Sequence, residues 1–420
     1  MTMTGWQDLH VDGDRLWQRL EALGEIGAVH GPNGERGCAR LALTDADRDG
    51  RDLVMSWMVD LGLQVSMDAI GNVVATRAGS DPTAAAVMVG SHIDTVRTGG
   101  RFDGNLGVLA GLEIVETLDQ HGVTTRRPIQ VAFFTDEEGA RFAPDMLGSQ
   151  VYVGALAVEE ALDVLAADDG ARLGDELIRI GYSGPTPAPA ASFPHCYAEL
   201  HIEQGPVLEQ EGITIGVVTG VQGISWTEVT ITGQSAHAGT TPMQLRHDPM
   251  AVAARAIHET RLIAAYLGAP QVATIGRLAV VPNLVNVVPS NVVFTIDLRN
   301  TSEETLELAE TEVFAACRAY AFDEGCEITM RTLARFEPVD FDADMIDLVE
   351  TTAQRLGHST RRMPSGAGHD AQMLARVCPS SMVFVPSVNG LSHNIAEFTT
   401  QADIEAGANV LLRVVLDKAV

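Results

Sequence analysis

His92 and Asp94 stand two residues apart at the end of an apolar run, residues 84–89, so their side chains point to one side. A glycine-rich turn, TGGRFDG, then presents Asp103 to the same place, just before an apolar helical stretch from residue 105. An imidazole, a carboxylate to orient it and an acid able to bridge two cations are what a metal-dependent hydrolase needs. Three more apolar runs lead into ligand-type residues: Glu137 and Glu138 in TDEEGARF, His201 in HIEQGPVLE and His393 in GLSHN. No thiolate is among them. The set therefore suits zinc first, then manganese, cobalt or nickel. Adjacent glutamates repel each other, so a division of labour is expected, one binding metal and the other taking a proton from water.

Strands must deliver these groups. Residues 65–76, 84–91, 130–135, 196–200 and 381–386 read as strands, and residues 9–23, 44–61, 106–121 and 343–356 as helices. Residues 152–180 read as acidic helix, and the glycine-rich residues 31–38 as a loop. The alternation predicts an α/β fold with a mostly parallel central sheet, whose ligands gather at the strands' carboxyl ends. After Gly212 the texture changes. Residues 213–219, 225–232, 271–280 and 291–298 alternate like half-exposed antiparallel strands, interrupted by helices at 249–267 and 302–324. The predicted organisation is a discontinuous domain, residues 1–212 and 336–420, with an α+β domain, residues 213–335, inserted into it.

Composition narrows the function. A net charge of -28 argues against nucleic acid and against anionic membrane surfaces as partners. Lys418 is the only lysine, which excludes an internal Schiff base, a Walker loop and a Cys-Glu-Lys amidase centre. The five cysteines form no CxxC and read as reduced residues of a cytoplasmic protein. Residues 1–10 have neither the basic nor the apolar region of a signal segment, and no run is long enough to span a membrane.

GSHIDTV, GRFDGNLGVLAG, FTDEEGARF, HIEQGPVLE, GQSAHAGTTPM, SGAGHDAQ and GLSHN, in this order, resemble the amidase/hydantoinase branch of metallopeptidase family M20. The branch includes N-carbamoyl-L-amino-acid hydrolases, allantoate amidohydrolases and β-ureidopropionases. The resemblance implies a zinc-peptidase-like catalytic domain and a ferredoxin-like inserted domain serving dimerisation and closure. It implies two divalent ions bridged by Asp103, with His92 and His201 completing one site and Glu138 and His393 the other. Glu137 would be the general base, and Asp94 would hold the His92 ring in its metal-binding tautomer. His237 would donate to the developing oxyanion, Arg299 would grip the substrate carboxylate, and Gln204, Asn286 and the Gly366 backbone would add hydrogen bonds. His369 and Asp370 lie in a family motif and are expected to brace a loop or to touch substrate. The implied reaction is cleavage of the carbamoyl C–N bond of an N-carbamoyl-L-amino acid to the amino acid, ammonia and carbon dioxide, with allantoate or N-carbamoyl-β-alanine as the alternative substrate, by a homodimer paired through the inserted domain. A peptidase or aminoacylase fits the motif wording less well, and a silent scaffold would require lost ligands.

Overall fold

Four neighbouring strands, Ser380–Val385, Cys196–Ile202, Val87–His92 and Ile129–Phe134, are parallel and buried at every position but one. That burial explains their unbroken apolar sequence, since both faces of a parallel sheet are covered. Helices Asn105–Gln120 and Gln401–Ala419 pack on these strands and are themselves apolar nearly all round. Because the four strands run one way, their carboxyl ends at His92, Phe134, Ile202 and Val385 lie along one edge. Antiparallel strands Val73–Arg77 and Gln64–Met67 extend the sheet on one side, and Ile215–Val221 joins it on the other. The fold is mixed α/β with a mostly parallel centre.

The structure is a computed structural model describing residues 9–420; the reading of residues 1–10 as free of a signal segment lies, for residues 1–8, outside the described residues. The described residues form two compact units, one running to Gly220 and resuming with Asp340–Val420, the other Val221–Val339. Among the described residues no helix is long and apolar enough to cross a membrane.

The second unit is built on antiparallel strands in the order Val272–Thr274, Asn291–Asn300, Gly223–Thr232, Glu327–Phe336, with Leu278–Val281 also pairing Asn291–Asn300. Helices Pro249–Leu267 and Glu303–Glu324 complete a strand–helix–strand–strand–helix–strand order, which is the ferredoxin-like arrangement. Strict alternation along Asn291–Asn300 puts Val292, Phe294, Ile296 and Leu298 into one core with Val252, Ala256, Leu306 and Val313 from the helices. Asp248 caps the first helix, with Pro249 in its first turn, and Ser302 caps the second.

Several elements differ from the sequence reading. Residues 64–77 form a hairpin, not one strand, because Asp68 accepts from the amides of Ile70 and Asn72 and closes a turn. Residues 28–38 also form a small hairpin, Ala28–His30 with Arg36–Cys38. The acidic stretch breaks into Leu147–Val153, Val158–Leu162 and Leu173–Ile180. The strand Ile215–Val221 pairs with Ser380–Val385, so residues 213–220 belong to the larger unit and not to the inserted one. Strands Glu327–Phe336 and Thr360–Ser365 and the helix Gln401–Ala419 were not foreseen.

Candidate active site

At the end of Val87–His92, the His92 Nδ1 donates to the backbone carbonyl of Asp94 at 2.9 Å. A carbonyl can only accept, so Nδ1 carries a proton and Nε2 is the nitrogen left for a cation. That nitrogen lies 3.7 Å from Asp103 Oδ1 and 3.3 Å from Glu137 Oε2. His201, at the end of Cys196–Ile202, repeats the device. Its Nδ1 donates to the Ile202 carbonyl at 2.9 Å, and its Nε2 lies 3.2 Å from Asp103 Oδ1.

Asp103 uses its two oxygens on two sides. Oδ1 faces His92 and His201, while Oδ2 lies 3.6 Å from His393 Nε2, which is itself 3.1 Å from Glu138 Oε2. Ligand atoms of His92, Asp103 and His201 lie within 4.8 Å of one another, as do those of Asp103, Glu138 and His393. Gly104 follows at φ +67°, and a Cβ there would collide with the His92 ring, so the tight turn demands glycine. Fully buried Arg40 pins the surrounding loops, donating to the Ile93 carbonyl and to Asn105 Oδ1, each at 2.8 Å.

The Asp94 side chain has a different task from the expected one. Its residue does orient His92, but through the backbone carbonyl; the carboxylate is 3.8 Å from Nδ1 and instead accepts from the amides of Glu137 at 3.3 Å and Glu138 at 3.4 Å. It therefore fixes the acidic turn after Ile129–Phe134. Asp136, at φ +56°, makes the bend that separates the two glutamates from the strand.

Electrostatics bind the cluster together. Burial would push the Asp103 carboxyl up, but the hydrogen bond with His201 and the charges of His201, His92 and His393 hold it well below the usual carboxylate range. Burial would lower His201, yet the hydrogen bond and charge of Asp103, with Glu199 behind, bring it up to about 9. His393 reaches about 9 chiefly through its hydrogen bond with Glu138. Burial first, then the charges of Asp370, Glu138 and Asp103, push Glu137 well above the ordinary glutamate value. Imidazoles held protonated against carboxylates mark the positions where a divalent cation would replace protons, and the all-nitrogen-and-oxygen donor set fits such a cation.

Gln204, expected at the substrate, instead donates from Nε2 to Asp103 Oδ2 at 2.8 Å. Its φ of +59° turns the chain back at the strand end and aims the amide at the carboxylate. His369 is buried against the His201 ring, centroids 4.5 Å apart, with Nε2 on Ser365 Oγ at 2.9 Å. Burial, then the charge of His201, keeps it well below the ordinary histidine value and therefore neutral. Glu199, His201 and His369 form a third convergent group, but Glu199 is already engaged by Ser91, Tyr197 and the Ala371 amide. Both His369 and Glu199 brace the His201 strand. Asp370 is fully buried, and Gly366 lies in an exposed bend after Thr360–Ser365. Ser392 and Glu397, beside Asp103, escaped the sequence reading, for nothing in their spacing marks them.

In the inserted unit, His237 lies on the short strand Ala236–His237, paired with Val287–Val288, and is exposed. Its Nδ1 accepts from the amides of Gly239 at 3.0 Å and Thr240 at 3.3 Å, so the neutral ring carries its proton on Nε2. The Asn286 carbonyl accepts from Ala238 at 3.0 Å, which brings Asn286 beside the His237 loop. Arg299 is hydrogen-bonded to Asp297 at 3.0–3.3 Å and lies over the Trp226 ring, 5.7 Å from its centroid.

The chain is similar to known proteins over nearly its whole length. It is 41% identical over 413 residues to an N-carbamoyl-L-amino-acid amidohydrolase of Rhizobium meliloti, covering 98% of each chain. It is 33% identical over 385 residues to an allantoate amidohydrolase of Bacillus subtilis, covering 91% of this chain and 93% of that one. The crystal structure of an amidase of the hydantoinase/carbamoylase family from Burkholderia multivorans superposes with a TM-score of 0.90 at 46% identity, covering 98% of both chains. The profile of peptidase family M20/M25/M40 matches residues 88–417, a span that holds every residue of the cluster around Asp103. The chain belongs to this family, in its amidohydrolase branch, and is a hydrolase acting on C–N bonds.

Proposed function

We propose that the protein cleaves the carbamoyl C–N bond of N-carbamoyl-L-amino acids, consuming one water and giving the amino acid, ammonia and carbon dioxide. The observation that carries the chemistry is the two-sided Asp103, with histidines at both oxygens and Glu137 alongside. His92, Asp103 and His201 would hold one divalent cation, and Asp103, Glu138 and His393 a second, zinc being the first choice and manganese, cobalt or nickel the alternatives. When bound, such a pair supplies Lewis acidity toward the carbonyl and lowers the pKa of water.

The chain's own groups do the rest. Glu137 takes a proton from the attacking water and passes it to the nitrogen of the amino acid as that bond breaks. His237 donates its Nε2 proton to the developing oxyanion. Arg299 forms a bidentate pair with the substrate carboxylate, for which it must exchange or share its bonds to Asp297. Asn286 and the Gly366 amide add hydrogen bonds to the ureido group. Gln204 serves Asp103 in this scheme, not the substrate.

The protein is proposed to act in the cytoplasm as a homodimer joined through the inserted unit, which also closes on bound substrate. Strand Leu278–Val281 pairs on one side only and exposes Leu278 and Val281, with exposed Leu284 and Val285 following, a face suited to a second copy. His237 would then serve the neighbouring subunit. Mixing His237→Ala with Glu137→Gln chains tests this: activity that reappears on subunit exchange supports it, and none places His237 in its own chain's site.

Allantoate, another ureido acid, is the second reading, favoured by the similarity to an allantoate amidohydrolase; N-carbamoyl-β-alanine is a related choice. Ammonia release from N-carbamoyl-L-amino acids, allantoate and N-carbamoyl-β-alanine decides between them. The proposal expects the first class to give the highest kcat/KM, and faster turnover of allantoate would overturn it.

A further inference from the structure

Asp103 sits on a loop with no regular structure of its own, yet its two oxygens are aimed in two directions. Something must hold the loop. Glu397, 2% exposed, accepts the Phe102 amide at 3.0 Å and the Asp103 amide at 3.2 Å on Oε1. Its Oε2 lies 3.1 Å from Ser392 Oγ, and the same hydroxyl lies 2.8 Å from Asp103 Oδ2. Glu397 thus grips Asp103 twice, directly at the backbone and through one hydroxyl at the carboxylate. That hydroxyl has a single proton for two carboxylates, so it bonds one of them at a time.

Two independent features show that this approach is built in. At Gly100 a Cβ would fall inside the Glu397 carboxyl group, so the loop comes this close only with glycine there. The residues next in sequence also lock together. Phe102 meets Phe398 edge to face, centroids 5.8 Å apart at 87°, and Trp17 packs on both rings at 5.7 and 6.1 Å. The segment from Ser392 to Phe398 is therefore fastened to the Asp103 loop by hydrogen bonds on one side and aromatic packing on the other.

We infer that Glu397, acting through Ser392 and the Phe102 and Asp103 amides, is the positioning residue that aims Asp103 at both cation sites. The inference rests on the metal-holding role proposed for Asp103. Removing the carboxylate leaves two buried amides without their acceptor and frees the loop to turn. Groups that orient a ligand in this way typically change metal affinity by about 10–100-fold when removed.

Cobalt(II) titration of the full chain, in competition with a chromophoric chelator and with the visible spectrum of the cobalt-loaded protein recorded, tests the inference. Glu397→Ala is expected to weaken cobalt binding about 10–100-fold and to shift the spectrum. Glu397→Gln, whose amide oxygen can still accept the two backbone amides, should recover part of that affinity, and Ser392→Ala should fall between wild type and Glu397→Ala. Glu113→Gln is the control, since Glu113 is as deeply buried but engages Arg15 and Arg19 from about two turns along the helix Asn105–Gln120. It should lower the melting temperature and leave cobalt affinity unchanged. Wild-type affinity and spectrum in Glu397→Ala would overturn the inference, as would a loss no larger than that of the control. Should Glu397→Ala not fold, unchanged affinity in both Glu397→Gln and Ser392→Ala would overturn it equally. A wild-type protein that bound no cobalt would instead overturn the metal-holding role itself.

Discussion

His92 and His201 in the larger unit are buried, and each donates a hydrogen bond from Nδ1 to a backbone carbonyl. His237 in the inserted unit is exposed, and its Nδ1 accepts hydrogen bonds from two backbone amides. The backbone partner thus decides the tautomer of the neutral ring, so that Nε2 of the first two can exchange a proton for a cation while Nε2 of the third keeps a proton to donate. One residue type thus suits the ligand role proposed for it in one unit and the hydrogen-bond donor role proposed for it in the other. The carboxylates follow the same division. Asp103 meets His201 at Oδ1 and Gln204 and Ser392 at Oδ2, all in its own unit, whereas the Asp297 carboxylate holds Arg299 by bonds that a substrate carboxylate, in the role proposed for Arg299, would have to displace. In the larger unit the proposed ligands already face one another; in the inserted unit Arg299 would have to exchange or share its bonds to Asp297.

Substitutions in the two units should therefore fail differently. Glu137→Gln is expected to lower kcat by about 10²–10⁴-fold with metal content nearly intact; wild-type turnover would remove Glu137 as the base. His237→Ala should cost about 10²–10³-fold in kcat without loss of metal, measured by steady-state rates and elemental analysis together. Arg299→Ala should weaken transition-state binding by roughly 2–5 kcal/mol, appearing mainly as a raised KM. Substrate amides lacking the carboxylate should already be poor with the wild type, and equal rates on acid and amide would identify another anchor.

Two smaller effects sharpen the contrast. His201 and His393 are held up to about 9 by their carboxylate partners. A cation must displace those protons, so apparent metal affinity should rise with pH until about 9, with protons released on binding. Affinity independent of pH between 6 and 9 would contradict the ligand assignment. Ile296→Val, in the core of the inserted unit, should cost about 0.5–1.5 kcal/mol in stability with metal content unchanged.

The chemistry-bearing residues were legible because parallel strands announce themselves as apolar runs, and the residues just beyond such runs land together at one edge of the sheet. His92, Glu137, Glu138 and His201 all obey that rule. Helices with clear caps, at Thr44, Asp248 and Ser302, were legible for local reasons as well. Asp94 and Gln204 were read at the right place, but the contacts they make here, the Asp94 carbonyl with the His92 ring and the Gln204 amide with Asp103, depend on φ angles and loop paths that a sequence does not display. Ser392 and Glu397 were invisible, because their significance lies in contact with a loop nearly 300 residues earlier in the chain. The strand Ile215–Val221 was assigned to the wrong unit because alternation marks a strand without naming its sheet.

The central claim is that Asp103 is shared between two cation sites. Elemental analysis of the purified protein after loading and removal of free metal tests it, run on wild type and on Asp103→Ala side by side. The account predicts about two divalent ions per chain in the wild type and less than about one in Asp103→Ala. A single ion in fully active wild type, or two retained in Asp103→Ala, would contradict it.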